Sequence, residues 1–397
     1  MGGYRRRRTE SERSYAVTPM RITFPAVHER IGAVRIHEVG RIIELDSAGD
    51  ACDSDQRPDH VFLPADALEA AHRELTVVVP IKNERRSTLR GVLAGIPGGC
   101  RIVVISASEP SPIDRFQLER EVIDTFVSHT GRRILHLHQR DAVIAAAIEP
   151  SLPELLDDDG LIRAGKGEAM LLGAMIARQT GSNAVGFIDA DNYVPGAVNE
   201  YVRIFSATIA SATSDHTMGR ISWQSKPKVE DGSLVFNRWG RSTTVSNRVL
   251  NEVLSHYLGE GTHIITTGNA GEHVISMPLA ERLRFNGSFG AETGQFIDLM
   301  EQFGGIIEPI GDVPARIDVI QTETINPHFH EDKGERHVAA MREQSIATIT
   351  NSPICPRHVA SAYPTDAPPP DRYPAFGGRR GIDIERIEKA SATETPR

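Results

Sequence analysis

Two carboxylates, Asp189 and Asp191, follow the apolar run 185–188 and lead into Asn192 and Tyr193. The run reads as the end of a buried parallel strand, and alternation along an extended backbone puts both carboxylates on one side. Ligands of open α/β sheets bind at that edge. One carboxylate could hold a divalent cation there and the other a sugar or ribose hydroxyl. The plainer alternative is a solvated strand end with a turn at Asp191-Asn192. His328 and His330 flank Phe329, so on an extended segment both imidazoles point one way and one or both could complete a cation site with Asp191. Surface histidines ahead of the charged run 331–333 would read the same.

Other polar groups suit anions and hydroxyls. Gly165-Lys166-Gly167-Glu168 opens a helical pattern, so backbone N–H groups and the Lys166 ammonium could together meet a diphosphate. The spacing from Gly160 to Lys166 matches the phosphate loop of NTPases until Gly167. A Ser or Thr is needed there to reach magnesium, so we reject that reading. Arg241 with Ser242, Thr243 and Thr244 gathers donors for a phosphate or carboxylate, or is an ordinary capped helix start. Asn83 and Glu84 could recognise a ribose or base edge, with Asn83 as a helix N-cap the alternative. Glu292 could bond sugar hydroxyls or cap a helix.

The positioning elements are legible around these residues. Residues 75–81 form a β-branched strand, followed by a short helix to Leu93, a strand 101–107, a helix 113–126, a strand 134–138 and a helix from the Gly-Lys-Gly-Glu run to Arg178. Strands alternating with helices at these lengths predict an α/β fold, a mostly parallel sheet covered on both faces. Beyond residue 205 the pattern loosens: a strand or hairpin over 221–236, a helix to Leu258, an apolar helix after the small-residue loop 268–273, a helix ending near Phe303 and a strand over 319–322. Residues 21–45 regain apolar character and pack on the main domain, whereas 47–60 read as a polar loop. The division expected is a disordered leader 1–19, a regular α/β part 20–205, a looser part 206–351, and a proline-rich tail 352–397 that is extended or disordered.

Composition excludes several classes. The 397 residues are ordinary for a soluble protein, with 40% hydrophobic and 24% charged residues. A formal net charge of −9 argues against a nucleic-acid binder driven by bulk electrostatics. Cys52, Cys100 and Cys355 make neither a disulfide framework nor a zinc site, which suits a reducing cytoplasm. No stretch is apolar enough to span a membrane, and the basic run 5–8 has no apolar sequel that would make it an export signal.

Taken in order, Val-Pro-Ile-Lys-Asn-Glu84, Gly-Lys-Gly-Glu168, Phe-Ile-Asp-Ala-Asp-Asn192, Gly-Arg-Ser-Thr243, Asn-Ala-Gly-Glu-His273, Phe-Gly-Ala-Glu292 and Asn-Pro-His-Phe-His-Glu-Asp-Lys-Gly334 resemble the mannosyl-3-phosphoglycerate synthases and, more distantly, the glucosyl-3-phosphoglycerate synthases. The resemblance covers roughly residues 21–353. It implies a GT-A glycosyltransferase fold, a divalent cation (Mg2+, or Mn2+ in its place), and transfer of a hexose from GDP-mannose or GDP-glucose to the 2-hydroxyl of 3-phosphoglycerate with retention. A homodimer is also implied, with 20–205 as the nucleotide-sugar-binding part and 206–351 as the acceptor- and metal-binding part. Carried onto this chain, it gives the nucleoside to Pro80, Asn83 and Glu84, the diphosphate to Lys166, and the metal to Asp191 with His328 or His330, His330 being preferred. It gives donor ribose or sugar to Asp189, sugar hydroxyls to Glu292, and phosphoglycerate to Arg241, Thr243, Asn269 and Gly271. Competing readings are a glucosyl-specific or dual-donor enzyme, a sugar nucleotidyltransferase, and a non-catalytic nucleotide-sugar sensor.

Overall fold

The computed structural model describes residues 18–46, 60–230, 232–237, 240–309, 311–330 and 334–392. Most of the leader and of the polar loop 47–60, and the charged run 331–333, lie outside them.

The first segment supplies β1 (Met20–Thr23), β2 (His28–Ile31), β3 (Val34–Glu44) and β4 (His60–Leu63), then α1 (Ala65–Glu74). A regular alternation follows: β5 (Leu75–Ile81), α2 (Arg86–Gly95), β6 (Arg101–Ser106), α3 (Arg115–Thr130), β7 (Ile134–His138), α4 (Ala142–Ile148), α5 (Lys166–Gln179), β8 (Ala184–Phe187) and α6 (Pro195–Ala210). The later part contains β9 (Thr217–Ser222), the hairpin β10 (Lys226–Glu230) and β11 (Ser233–Asn237), α7 (Arg241–Leu258), β12 (His273–Ser276), α8 (Met277–Ala280), α9 (Ala291–Phe303), β13 (Ile317–Glu323), α10 (Glu335–Thr350), α11 (Arg357–Ala362) and α12 (Ile384–Ala392).

Eleven strands form one sheet in the order β4-β1-β3-β13-β9-β12-β8-β5-β6-β7, with β2 paired to β3. The β8-β5-β6-β7 block is parallel, as alternating strands and helices require. β13 is parallel to both β3 and β9, while β12 runs antiparallel between β8 and β9. Both faces are covered. Along β5, Val77 and Val79 pack with the buried residues of α1, α2 and α6, and Val78 packs with those of α5. The core under α5 also takes in residues of α7, α9 and β13, so it crosses the expected 205/206 boundary.

Two expectations are corrected. The apolar run after residue 273 is not a helix but strand β12 followed by the four-residue α8. Val274 and Ile275 favour the extended state, and Pro278 is tolerated because it lies in the first turn of α8. The proline-rich tail is irregular over 363–383 but tightly packed: Tyr373, Phe376, Ile382 and Ile387 are buried core residues, and α12 lies against α4 and β7. Prolines keep it out of regular structure, and its spaced apolar residues hold it down. Among the described residues no helix is long and apolar enough to cross a membrane.

Candidate active site

Pro80, Asn83, Glu84, Lys166, Asp189, Asp191, Arg241, Thr243, Asn269, Gly271, Glu292, His328 and His330 all line one cavity of about 810 Å³. It opens where β5, β6 and β8 leave the sheet, the edge at which α/β folds place ligands.

β8 ends at Phe187, so Asp189 and Asp191 reach the cavity from a turn rather than by strand alternation. Asn192 forms an isolated antiparallel bridge with His330, and the Tyr193 N–H donates to the Phe329 carbonyl at 3.0 Å. This pairing brings His330 Nδ1 to 4.0 Å from Asp191 Oδ2. His328 lies behind it, its ring 5.1 Å from that of His330 and stacked on Trp223 at 4.4 Å. Its Nδ1 is 3.1 Å from the Tyr201 hydroxyl. Burial first, then the positive charges of Lys226, His330 and Lys166, hold His328 well below the usual imidazole range, so it is neutral. Burial, with Glu272 and Glu200, holds the Tyr201 hydroxyl well above its usual range, so it keeps its proton.

Lys166 is the first residue of α5, after the N-cap Gly165. Its Nζ lies 2.6 Å from both Asp189 Oδ1 and Glu292 Oε1. Burial opposes the ammonium charge, but the two carboxylates override it and hold the group above the ordinary lysine range. A cation at a helix start faces the cavity, with an irregular loop rather than a strand before it, consistent with rejecting the NTPase loop. Gly271 permits the close approach here: a Cβ on it would lie 2.3 Å from Asp189 Oδ2 and 3.0 Å from Lys166 Nζ. Glu292 caps nothing; it spends its carboxylate on Lys166.

The turn after β5 is fixed by side chains. Asn83 has φ of 62°, a left-handed conformation that costs a non-glycine residue roughly 1–2 kcal/mol. Its N–H donates to Ser108 Oγ at 2.7 Å, and its Oδ1 accepts from the Glu109 N–H at 3.0 Å. Ser108 in turn donates to the buried Glu119. Asn83 is therefore not the N-cap of α2, a position held by Arg85. Glu84, which is buried, and the half-buried Pro80 line the cavity beside it.

On the opposite wall Arg241 begins α7. Its Nη1 donates to both oxygens of Glu335 at 2.6 Å. No side chain caps this helix, so the capped-start reading fails, and Thr243 is buried two residues further on. Asn269 is buried, its amide donating to Ser345 Oγ and its carbonyl oxygen accepting from Thr293 Oγ1.

Sequence reasoning gave no role to Glu272, although it lies within a quoted motif. It is fully buried, accepts from Asn192 Nδ2 at 2.9 Å, and its Oε2 has no hydrogen-bond partner among the described residues. Burial, then the Asp189 charge, pushes its carboxyl up to about 8; the Asn192 hydrogen bond and Lys166 oppose the rise and Asp191 adds to it. Trp223, Lys226, Phe289 and His337 also line the cavity, from segments that only the tertiary fold brings together. One signal was available for Trp223, as one of only two tryptophans in the chain.

A family profile described as "Mannosyl-3-phosphoglycerate synthase (osmo_MPGsynth)" matches residues 24–366. The chain belongs to the mannosyl-3-phosphoglycerate synthase family. It is 39% identical to the mannosyl-3-phosphoglycerate synthase of Pyrococcus furiosus over 346 residues, covering 86% of each chain. Against that of Aeropyrum pernix it is 36% identical over 348 residues, 86% of this chain and 88% of the relative. Among solved structures it is similar in fold to a glucosyl-3-phosphoglycerate synthase of Mycobacterium tuberculosis in complex with Mn2+, UDP and phosphoglyceric acid, with a TM-score of 0.52 and 21% identity over 78% of this chain and 93% of that one. That likeness supports the GT-A fold expected for the family.

Proposed function

We propose that this member of the family transfers mannose from GDP-mannose to the 2-hydroxyl of 3-phosphoglycerate with retention, yielding a phosphorylated precursor of mannosylglycerate. The observation that carries the reading is the convergence in one cavity of Lys166 at a helix start, the Asp191–His330 pair and a second cationic group, Arg241. These are the separate requirements of a diphosphate, a cation and an anionic acceptor.

The donor set fits a divalent cation. Among the described residues no group of three or more His, Cys, Asp or Glu side chains is arranged to hold a metal. Two protein donors and an open cavity suit magnesium or manganese, which take their remaining ligands from phosphate oxygens and water. Asp191 and His330 would hold it. A Tyr201 hydroxyl donating to Nδ1 of His328 leaves that ring's proton on Nε2, so His328 orients its neighbour rather than ligating. When bound, the cation offsets charge on the departing diphosphate.

Lys166 and the start of α5 take the diphosphate, the turn 80–84 takes the nucleoside, and Asp189 and Glu292 face the sugar hydroxyls. Arg241 and Thr243, with Asn269 and Gly271, hold the phosphoglycerate so that its 2-hydroxyl meets the anomeric carbon. Both carboxylates nearest the sugar are already paired with Lys166, which weakens either as a nucleophile. Attack from the face that the diphosphate leaves, with the hydroxyl proton passing to the leaving phosphate oxygen, gives retention without one. A trapped covalent sugar adduct on Asp189 or Glu292 would overturn this route.

The deciding assay supplies 3-phosphoglycerate with GDP-mannose, GDP-glucose or UDP-glucose, each with magnesium and with EDTA. Magnesium-dependent release of GDP and a mannosyl-phosphoglycerate is expected. Preference for a glucose donor would make the chain a glucosyl enzyme, and release of pyrophosphate from GTP and a sugar phosphate would make it a nucleotidyltransferase. Light scattering reads the homodimer expected from the resemblance.

A further inference from the structure

Among the described residues, Asn83 (φ 62°) and Ser288 (φ 50°) are the two non-glycine positions with a left-handed backbone, and both line the cavity. The second is held from an unexpected direction. The Ser288 N–H donates to Glu168 Oε2 at 2.9 Å, and Glu168 Oε1 accepts from the Tyr373 hydroxyl at 2.8 Å. Glu168 is buried between two glycines: a Cβ on Gly165 would lie 2.1 Å from Oε2, and one on Gly287 would lie 2.2 Å from Oε1.

Tyr373 belongs to the C-terminal arm, beyond residue 366 where the family profile ends. The arm also pairs its backbone with the Ser288 loop. The Gly287 N–H donates to the Asp371 carbonyl at 2.7 Å, the Tyr373 N–H donates to the Phe285 carbonyl at 2.8 Å, and Asn286 and Arg372 form an isolated antiparallel bridge. Arg372 anchors that bridge in turn, donating to Asp298 and Glu301 of α9. The loop so clamped leads directly into Glu292, which meets Lys166.

We propose that Tyr373, acting through Glu168, is a positioning residue of the active site: the arm is a template that fixes the Ser288 turn and thereby the meeting of Glu292 with Lys166. The kinetic part of this inference rests on the reaction proposed above; the conformational part does not.

The test uses the full chain and Tyr373→Phe, which keeps the buried ring and removes only the hydroxyl. Hydrogen exchange of the amides over 286–292 is expected to quicken by about 10-fold, the scale of one lost hydrogen bond, while the body of α5 is unaltered. With GDP-mannose and 3-phosphoglycerate, kcat falls about 10-fold and the acceptor KM stays within about twofold. Adding Ser288→Gly restores most of kcat, because glycine takes the left-handed turn without strain. Unchanged exchange overturns the proposal. So does quickened exchange with unchanged kcat, or a kcat loss that follows Tm and is not recovered by S288G. If the parent turns over no donor, the proposed reaction fails and the exchange result alone decides the role of the arm.

Discussion

The two walls of the cavity hold charge pairs of equal length in very different surroundings. On the sheet-edge wall the Lys166 side chain, 2.6 Å from Asp189 and Glu292, is 20% exposed, Asp189 29% and Glu292 only 7%. On the facing wall Arg241 and Glu335 also meet at 2.6 Å, but their side chains are 49% and 79% exposed. A half-buried, mutually satisfied cluster keeps its shape without a ligand better than a solvated pair, which contributes about 0–1 kcal/mol and exchanges partners readily. On the function proposed above, the sheet-edge wall would receive the donor ready-shaped, and the facing wall would exchange its carboxylate for the incoming anion.

The largest expected effect tests the first half of that contrast. Lys166→Met removes the cation at the start of α5, and kcat should fall about 1,000-fold, as when a preorganised charge is lost from the transition state; steady-state kinetics decide it. A loss of less than about 10-fold would mean that the buried cluster is structural only. On the facing wall, Arg241→Ala should raise the acceptor KM about 10- to 100-fold, the value of a charge-assisted hydrogen bond, with the donor KM within about twofold. Equal effects on both substrates would erase the division between the walls.

Glu335→Gln sharpens the comparison from the other side. Freeing Arg241 from a competing carboxylate should lower the acceptor KM about two- to fivefold at low salt, and less at high salt, where screening already weakens the pair. A higher KM would make Glu335 part of the acceptor site instead.

The smallest effect is one of stability beneath the sheet-edge wall. Folding raises the Glu272 carboxyl to about 8, above the value of an unfolded glutamate. The folded state therefore binds the proton more tightly, and its stabilising contribution is complete in acid and is lost as pH rises from about 4.5 through 8. Glu272→Gln, measured by Tm in EDTA, should flatten that decline and exceed the parent by about 2–4 °C at pH 8. A parent and variant with parallel pH profiles would show that Glu272 is already ionised in the fold.

What the sequence disclosed, and what it withheld, divides along the same physical line. The β-branched strand 75–81, the helix opening at Lys166 and the carboxylates after residue 188 announce themselves through neighbours only a few positions away. Part of the cavity's lining was legible because the motifs carrying it are local. Their support was not. Ser108 holds Asn83 from across 25 residues, Tyr373 reaches Glu168 across 205, and Glu335 finds Arg241 across 94. Asp189 and Asp191 face one cavity through a turn where extended alternation was expected, because β8 is cut short and His330 pairs with Asn192. Val274 and Ile275 misled as helix because a short apolar run has no period of its own to separate the two states.

The route of the chain through the sheet also bears on how the protein is made. β3 lies against β13, with Val34 opposite Ile317, and the core beneath α5 is closed by Tyr373, Phe376 and Ile387. A polypeptide emerging from the ribosome can form the parallel block around β5 early, but the slot beside β3 stays open until residue 323 has been made, and α5 keeps a bare apolar flank until residue 387 follows. For that interval the nascent chain carries a strand with one open edge and a helix with one uncovered flank, surfaces that favour off-pathway contacts until the later residues arrive.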